Sequence, residues 1–253
     1  MIYIINKFDL FVYLQSKHQK LPVENKLTFT ACTISVKHCA CFEKLSKEEK
    51  ILLDDHSVVV NYKKGEVISK QGAFASHVML LEKGLAKVFM ETESSKLILK
   101  IVPDGNFIGM ASLSNEYNTY HYSSSAYIDT TVRQIDLNIF RELLEKNSAF
   151  AREIIDILSS NSLQIYGRFF CLTQKQAYGR LADIILCLSE RVFKSSEFDL
   201  PLSRKDLAEL SGMSSETVIR MLNKFVKDGL IKMEGKKFTV MDYARLNQIS
   251  EKG

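Results

Sequence analysis

One segment, residues 202–237, has the pattern of two short helices joined by a glycine turn and followed by a β-hairpin. Gly212 supplies a turn that a residue with a Cβ fits poorly, and Ser214 is a good N-cap for the second helix. The apolar residues of the second helix recur at helical spacing and are Val218, Met221, Leu222 and Phe225. Two short alternating apolar runs then flank a glycine turn at residues 234–237. The segment therefore predicts a helix-turn-helix followed by a β-hairpin wing.

The polar side of the second helix carries hydrogen-bonding groups that suit the edges of DNA bases. Arg220 can donate two hydrogen bonds to guanine O6 and N7, and Glu216 can accept one from the cytosine amino group. The residues placed for phosphate contacts are Ser214, Thr217 and Arg204. A small helical hairpin whose charges face water is the alternative interpretation. The wing and the lysines at the end of the helix favour DNA binding.

Charge, hydropathy and cysteine content narrow the class of protein. The 253 residues carry a formal net charge of +4, which suits a local basic surface better than a protein that coats nucleic acid. No apolar run approaches the roughly 20 residues of a membrane span, and Lys7 and Asp9 interrupt the hydrophobic N-terminus. Five scattered cysteines, an odd number, argue against a disulfide framework. We therefore expect a cytoplasmic protein without a signal peptide and without a membrane partner.

Residues 57–137 consist of strand-sized runs rich in Val, Ile, Leu, Phe and Thr. Glycine-bearing turns separate several of these runs, at Gly65, Gly72, Gly84 and Gly105. This spacing predicts a compact antiparallel β-barrel or jelly roll, and together with the helices it indicates an α+β fold. Such a barrel can enclose a small molecule, although most barrels of this size are filled by their own side chains.

From Ser148 onward the apolar pattern becomes helical. The positions that step by four and three, as in a coiled-coil seam, are Phe150, Ile154, Leu158, Asn161, Ile165, Arg168 or Phe169, and Leu172. A helix that packs on its own barrel is the alternative. We expect a dimer interface because a helix-turn-helix protein usually needs two copies to read two half-sites. Its predicted residues are Ile154, Leu158, Asn161, Ile165, Phe169 and Leu172.

These patterns divide the chain into four parts. Residues 1–37 form an N-terminal extension with no clear period, for which a mobile extension, a docking helix and an unused upstream start all stay open. Residues 38–147 form the expected effector-sensing barrel, preceded by an entry helix that Ser46 caps. Residues 148–175 form the dimerisation helix and hinge, and residues 176–253 form the winged helix-turn-helix unit.

The order of barrel, long helix and winged helix resembles the Crp/Fnr superfamily of transcription regulators. Its most specific elements are Tyr-Gly-Arg-Leu-Ala at residues 178–182, Ser-Ser-Glu-Thr-Val-Ile-Arg at 214–220 and Glu-Gly-Lys at 234–236. The glycine spacing in the barrel and the Phe-Ile-Gly at residues 107–109 add to the likeness. The resemblance implies an N-terminal cyclic-nucleotide-binding-like β-barrel, a long dimerisation helix and a C-terminal winged helix-turn-helix.

The resemblance also implies residue roles on the DNA side. Glu216 and Arg220 fall on the family's base-reading glutamate and arginine. The family's phosphate-contacting positions fall on Ser203, Arg204, Ser214, Thr217 and Gly235. Ser215 stands where the cyclic-AMP receptor branch has an arginine, so the operator need not match that branch's preference. Lys224 and Lys236 complete the expected set, and the expected partners are double-stranded DNA, a second copy of the chain and RNA polymerase.

The barrel departs from the family's known ligand branches. Cyclic-nucleotide sensors carry a glutamate and an arginine where this chain has Met110 and Tyr120. A cyclic phosphate without its guanidinium would lose charge-assisted hydrogen bonds, so we do not expect cyclic AMP to bind. The iron–sulfur branch needs four thiolates, whereas Cys32, Cys39 and Cys41 have the wrong spacing and no cysteine follows in the barrel. An iron–sulfur cluster is not expected either.

The effector therefore stays unknown, with haem as the remaining candidate cofactor. The side chains in or near the barrel that can ligate a haem iron are His77, His121, Met79 and Met110. The hydroxyl-rich run at residues 118–127 lies where family effectors bind, and an exposed strand and loop is its alternative interpretation. The candidate effector-pocket residues are Gly109, Met110, Tyr120, His121, Ser123 and Tyr166.

Other functions compete with this regulator. One is a constitutive DNA-binding protein whose barrel only dimerises, which differs in that no small molecule changes its DNA affinity. A haem- or redox-sensing member of the same superfamily is the alternative function. An enzyme is not expected, because a metal-binding barrel of the cupin type carries a His-x-His pair, which this sequence lacks. No metal site is predicted.

Overall fold

The computed structural model describes residues 40–253. The predicted extension, residues 1–37, lies outside the described residues, as do Cys32 and Cys39. Among the helices of the described part, none combines the length and hydropathy that a membrane-spanning helix needs.

The described chain begins with a 3-10 turn, Cys41–Lys44, and helix α1, Lys47–Asp55. The hydroxyl of Ser46 accepts a hydrogen bond from the Glu49 amide at 3.2 Å, and the Glu49 carboxylate accepts one from the Ser46 amide at 2.8 Å. This reciprocal cap satisfies two amides that the first helical turn would leave without partners. The predicted entry helix and its cap are confirmed.

Eight antiparallel strands form the barrel. They are β1 (Ser57–Tyr62), β2 (Val67–Ser69), β3 (His77–Lys83), β4 (Leu85–Glu91), β5 (Lys96–Pro103), β6 (Asn106–Ile108), β7 (Ser123–Ala126) and β8 (Thr130–Asp136). They make two four-stranded sheets, in the orders β1-β8-β3-β6 and β2-β7-β4-β5. The crossing connections between the two sheets are those of a jelly roll, as the sequence predicts.

The inner faces of the two sheets share one apolar cluster. Its buried members are Ile68, Ala75, Met79, Leu81, Ala86, Val88, Val102, Ile108, Tyr120, Ala126 and Val132. The turn between β3 and β4 requires a glycine, because Gly84 has a φ of 113° and a Cβ there would lie 2.5 Å from Oγ1 of Thr130. Side chains therefore fill much of the barrel interior.

A helical layer covers the outer face of the first sheet. Helix α2, Leu137–Lys146, begins at the capping residue Asp136, and helix α3, Ser148–Gln174, begins at the capping residue Asn147. The buried residues of this layer and of the sheet beneath it include Leu53, Val78, Phe107, Met110, Phe140, Phe150, Ile154 and Ile157. The N-terminal half of the long helix is thus part of the barrel domain's own core.

The C-terminal unit contains the predicted helix-turn-helix and wing. Its helices are α4 (Ala177–Cys187), α5 (Arg204–Ser211), α6 (Ser215–Lys227) and α7 (Tyr243–Lys252), with a π-helical turn at Leu188–Phe193. The wing strands are β10 (Ile231–Glu234) and β11 (Lys237–Val240), and a third strand, β9 (Glu197–Asp199), pairs with β11. The sequence analysis did not predict β9 or α7.

Two expectations need correction. Ile154 is 1% exposed and packs in the helical layer of its own chain, so it is not available to a second copy. Cys41 and Cys187 are each disulfide-bonded, so the sequence argument against a disulfide framework does not hold for these two cysteines. An odd total does not prevent some cysteines from pairing.

Candidate DNA-binding surface

The turn between α5 and α6 has the local geometry that its sequence predicts. Gly212 ends α5 in the left-handed conformation, with a φ of 63°. The Ser214 hydroxyl accepts a hydrogen bond from the Thr217 amide at 3.2 Å, which caps the N-terminus of α6. The Ser214 and Thr217 hydroxyl oxygens lie 3.1 Å apart, so the two phosphate-contact candidates are hydrogen-bonded to each other.

Helix α6 buries one side and exposes the other. The buried side packs on the rest of the C-terminal unit through Val218, Met221, Leu222 and Phe225. The exposed side presents Glu216 and Arg220, which lie one helical turn apart, with Asn223 on the same face. Sequence reasoning missed Asn223, although its spacing from Glu216 and Arg220 places it in line with them. This row can contact several successive base edges in a major groove.

Glu216 is held in its charged form at the start of α6. Hydrogen bonds from its own backbone amide and from the Ser214 hydroxyl lower the pKa of its carboxyl group below the ordinary value. An ionised carboxylate has only acceptors, so it can receive a hydrogen bond from a base amino group. The charge also suits the positive end of the helix dipole.

The remaining phosphate-contact candidates lie around α5 and the wing. The Ser203 hydroxyl caps α5 by accepting a hydrogen bond from the Asp206 amide at 3.1 Å. Arg204 is half-buried, with Nη2 3.9 Å from Sδ of Met233, and burial lowers the pKa of its guanidinium. Gly235 occupies the wing turn with a φ of 62°, and Lys236 beside it is exposed.

Two of the predicted DNA-contacting residues, Lys224 and Ser215, have contacts or partial burial within the protein itself. The ammonium of Lys224 lies 5.0 Å from the ring centre of Tyr178, a cation–π contact within the C-terminal unit. Ser215, the first residue of α6, is half-buried. Ser215 is therefore less exposed than Arg220, whereas Lys224 is exposed.

The six candidate effector-pocket residues do not line one cavity. Gly109 and Tyr120 adjoin inside the barrel, since a Cβ on Gly109 would lie 3.4 Å from Cε1 of Tyr120. Met110 packs instead in the helical layer outside the sheet. His121 is exposed, with its ring edge-on to Tyr117 at 4.7 Å between centres.

The remaining two candidates also face away from the barrel interior. Tyr166 is 65% exposed on the side of α3 that faces solvent. Ser123 pairs with Phe89 across β7 and β4, and the Phe89 side chain packs on the outer side of its sheet. Because facing residues of a strand pair point to the same side, Ser123 also points outward. The structure of the single chain therefore does not bring Met110, His121, Ser123 and Tyr166 into one cavity with Gly109 and Tyr120.

The inner face of the second sheet carries a polar row that the sequence analysis did not identify. Ser69, Ser124, Val88 and Lys100 are paired in sequence across β2, β7, β4 and β5, and Val88 belongs to the inner cluster. The Ser69 and Ser124 hydroxyl oxygens lie 2.7 Å apart. Lys100 is half-buried, has no hydrogen-bond or ion-pair partner within residues 40–253, and burial lowers its pKa to about 8.

The methionines and cysteines of residues 40–253 that were considered as ligands of a haem or an iron–sulfur cluster lie apart. Met79 lies inside the barrel and Met110 lies in the helical layer, so the two do not face each other as axial ligands. Cys41 lies in the helical layer and Cys187 in the core of the C-terminal unit. Within residues 40–253, no three His, Cys, Asp or Glu side chains converge as metal ligands.

The outward side of α3 is apolar along most of its length. Its exposed large residues are Ile155, Leu158, Leu163, Ile165, Tyr166, Phe169 and Phe170, which we call the α3 face. Of the predicted seam, Leu158, Ile165 and Phe169 belong to it, whereas Leu172 packs on Gly212 of its own chain. Ile155, rather than the predicted Ile154, is the exposed isoleucine at this position of α3.

Sequence models of two domain families match this chain. The model of the cyclic nucleotide-binding domain matches residues 59–147, and the model of the Crp-like helix-turn-helix domain matches residues 179–249. Between them they cover more than half of the chain. The matched ranges correspond to the barrel and to the C-terminal unit.

Known proteins with similar sequences are transcription regulators. The transcriptional activator protein anr of Pseudomonas aeruginosa is 28% identical over 189 residues, which cover 73% of this chain and 77% of that protein. The fumarate and nitrate reduction regulatory protein of Vibrio cholerae is 24% identical over 243 residues, which cover 90% of this chain and 95% of that protein.

Solved structures share the fold along nearly their whole length. FixK2 from Bradyrhizobium japonicum superimposes with a TM-score of 0.68 at 22% identity, covering 76% of this chain and 96% of FixK2. The c-di-GMP responsive global regulator CLP from Xanthomonas campestris superimposes with a TM-score of 0.67 at 20% identity. The superposition covers 80% of this chain and 98% of CLP. With the barrel, the long helix and the capped helix-turn-helix in this order, the chain belongs to the Crp/Fnr family of transcription regulators.

Proposed function

We propose that this chain acts in the cytoplasm as a homodimer that reads a palindromic DNA operator through α6. Arg220 donates to guanine and Glu216 accepts from cytosine, because these side chains match the edges of those bases in the major groove. Ser203, Arg204, Ser214, Thr217, Gly235 and Lys236 contact phosphates on either side. The observation that carries the proposal is the exposed pair of Glu216 and Arg220, one turn apart on a capped and well-packed helix.

The α3 face supports the homodimer. A monomer rarely leaves a contiguous row of large apolar residues in water, and here the row follows one helix for several turns. A second copy offers the same row, so two α3 helices can bury it against each other about a two-fold axis. The same two-fold axis relates the two α6 helices. They therefore match a palindromic operator, whose two half-sites are also related by a two-fold axis and lie about one helical turn apart.

The barrel interior is the effector site in this proposal. Gly109, Tyr120, Ser124 and Lys100 replace the pocket expected from the sequence, because they are the inward-facing candidates. An effector that binds the DNA-bound and the DNA-free arrangements of the protein with unequal affinity shifts the population between them. Activation of transcription by contact with RNA polymerase is part of the proposal, since the Pseudomonas relative is named a transcriptional activator.

A redox-sensing regulator is the second candidate function. The likeness to the fumarate and nitrate reduction regulatory protein favours it. Iron content and visible absorbance of anaerobically purified full-length protein test it. Bound iron with a charge-transfer absorbance supports redox sensing, and protein free of iron and of any chromophore removes this alternative.

Selection of DNA from a randomised duplex pool by the full-length chain tests the main proposal. We expect enrichment of one sequence with two inverted half-sites about 10 base pairs apart, as two-fold related recognition helices require. Bound DNA without sequence enrichment would contradict base reading by α6. Enrichment of a single, non-repeated half-site would contradict the homodimer.

A further inference from the structure

The inner face of the second barrel sheet carries a lysine. Lys100 on β5 lies opposite Val88 on β4, and Val88 is a buried member of the inner apolar cluster. Because facing residues of an antiparallel pair point to the same side, the Lys100 side chain points into the barrel. Burial alone lowers its pKa to about 8, so no carboxylate within residues 40–253 acts on the ammonium.

The acidic side chain of the same sheet is engaged on the opposite face. Glu91 on β4 forms an ion pair with Lys70, and its second carboxylate oxygen lies 3.7 Å from Nζ of Lys96. It also accepts a hydrogen bond from the outward-pointing Ser123 hydroxyl at 3.4 Å. The four described strands of this sheet therefore supply no counter-charge for Lys100. A charged group that loses water without gaining a partner costs free energy, which a bound anion would recover.

The other titratable side chains at the inner cluster are tyrosines. Tyr120 belongs to the cluster, and Tyr62 and Tyr122 pack against it. Burial raises the pKa of each of these phenols, so they carry no negative charge at neutral pH. The Tyr120 hydroxyl donates a hydrogen bond to the carbonyl of His77 at 2.9 Å, and Nδ1 of the His77 ring lies 2.7 Å from the Ser76 hydroxyl oxygen. These groups do not neutralise an ammonium.

A pair of hydroxyl groups lies on the same face as Lys100. Ser124 on β7 is paired with Val88 on β4 and with Ser69 on β2, and the two hydroxyl oxygens lie 2.7 Å apart. A hydrogen bond between two hydroxyls uses one of their two hydrogens, so the pair retains one donor. Ser124 and Lys100 flank Val88 from the two neighbouring strands, which places their backbones roughly 10 Å apart. The four-carbon stem of a lysine together with one carboxylate group can span this distance.

We propose that this inner face binds a small organic monocarboxylate. Its carboxylate lies between the Lys100 ammonium and the hydroxyl pair of Ser69 and Ser124, and its apolar body lies on the inner cluster. One negative charge neutralises the single ammonium, whereas a phosphate dianion would bring an excess charge into apolar surroundings. Lys100 is half-buried rather than enclosed, so a small molecule can reach it. The inference rests on the proposed function, because it names the class of effector for the barrel.

Isothermal titration calorimetry of the full-length chain at pH 7 tests the site with two matched pairs of probes, benzoate with benzamide and butyrate with butyramide. We expect at least one carboxylate to bind about tenfold more tightly than its neutral amide. Lys100→Met should remove this preference, because methionine keeps an apolar stem without the charge. The matched control is Lys83→Met, at an exposed position on β3, which should bind as the wild type does.

Three results would overturn the inference. The first is a wild-type chain that binds neither carboxylate better than its amide. The second is a Lys100→Met variant that keeps the full preference. The third is tighter binding of inorganic phosphate than of either carboxylate.

Proton uptake distinguishes a direct contact with Lys100 from an indirect effect of its replacement. At about pH 9 this lysine is mostly neutral in the free chain, and a bound carboxylate favours its charged form. Titrations of the tighter carboxylate in two buffers of different ionisation enthalpy should therefore show uptake of a fraction of a proton by the wild type and none by Lys100→Met. Absent uptake in the wild type, or equal uptake in both proteins, would contradict the contact.

These titrations contain no DNA, so they separate the inference from the proposed function. Failure of carboxylate binding would overturn the inference and leave operator binding untouched. Carboxylate binding by a chain that selects no operator would leave only the proposed DNA function in error.

Discussion

Nζ of Lys175 lies 2.7 Å from Oδ2 of Asp183, and the two side chains are only 10% and 3% exposed. Lys175 follows the last residue of the long helix α3, and Asp183 lies in α4, the first helix of the C-terminal unit. The Ser250 hydroxyl joins the same site, with its oxygen 3.2 Å from the Lys175 ammonium. A buried ion pair thus fixes the bend between the long helix and the DNA-reading unit.

Asp183→Ala should lower the free energy of unfolding by about 3 kcal/mol, because it leaves the Lys175 ammonium buried without a counter-charge. Urea titration followed by circular dichroism measures this difference. The matched control is Glu142→Ala, which breaks the exposed pair with Lys146 and should cost less than about 0.5 kcal/mol. Similar losses in both variants would show that the hinge pair contributes no more than a surface pair.

Lys100 should make stability depend on alkaline pH. Burial lowers its pKa to about 8, below the pKa of about 10.4 that a lysine has in an unfolded chain. Between these values the unfolded state binds more protons, so the free energy of unfolding rises with pH in this window and falls as pH drops toward 8.

Lys100→Met should remove this rise and raise stability at pH 7, by on the order of 2 kcal/mol. Urea titrations of the wild type and the variant between pH 7 and pH 10 check both effects. The exposed Lys83→Met serves as the control and should change neither quantity. Parallel pH profiles for wild type and Lys100→Met would show that the ammonium is well solvated.

Phe169→Lys should convert the homodimer to monomers, because two copies of the charge would meet across the paired α3 faces. Sedimentation velocity measures the change, and circular dichroism should show an intact barrel. Ile51→Lys makes the same kind of change at a residue that is 62% exposed on α1, and it should stay dimeric. A dimeric Phe169→Lys protein would place the interface elsewhere.

Lys236→Ala should weaken binding to the operator and to random duplex by similar factors, because a phosphate contact carries no sequence information. The slope of log affinity against log salt concentration should decrease by about 1 per half-site contact removed. Lys232→Ala is a useful comparison, since Lys232 is already paired with Glu234 at 2.8 Å. An unchanged salt slope for Lys236→Ala would remove the wing from the DNA contacts.

The helix-turn-helix could be predicted because its determinants are local. Gly212 and Ser214 specify the end of one helix and the start of the next through their own backbone and side chain. The short strand β9 depends instead on pairing with a distant strand, where Phe198 faces Phe238. A strand of three residues is too short for the alternation of its apolar and polar residues to predict it from the sequence.

Two of the misplaced residues, Ile154 and Ser123, share one cause, which is a shift of one residue along the helix or strand. Ile154 and Ile155 are adjacent and chemically identical, so only the packing of α3 on the barrel decides which one is buried. Ser123 and Ser124 pose the same problem in a strand, because a shift of one residue exchanges the two faces. The sequence indicated an apolar face on the long helix and a hydroxyl-rich run at residues 118–127, and tertiary contacts determined which residues of each are buried and which are exposed.

The central claim is base reading by Arg220, and the most direct measurement compares Arg220→Ala with wild type on the selected operator and on random duplex. Arg152→Ala, an exposed arginine on α3, serves as the control for loss of one charge. We expect Arg220→Ala to lose about 1–3 kcal/mol of binding free energy on the operator, with little change on random DNA. Equal losses on both DNAs would contradict the account, because they would make Arg220 a phosphate contact rather than a reader of sequence.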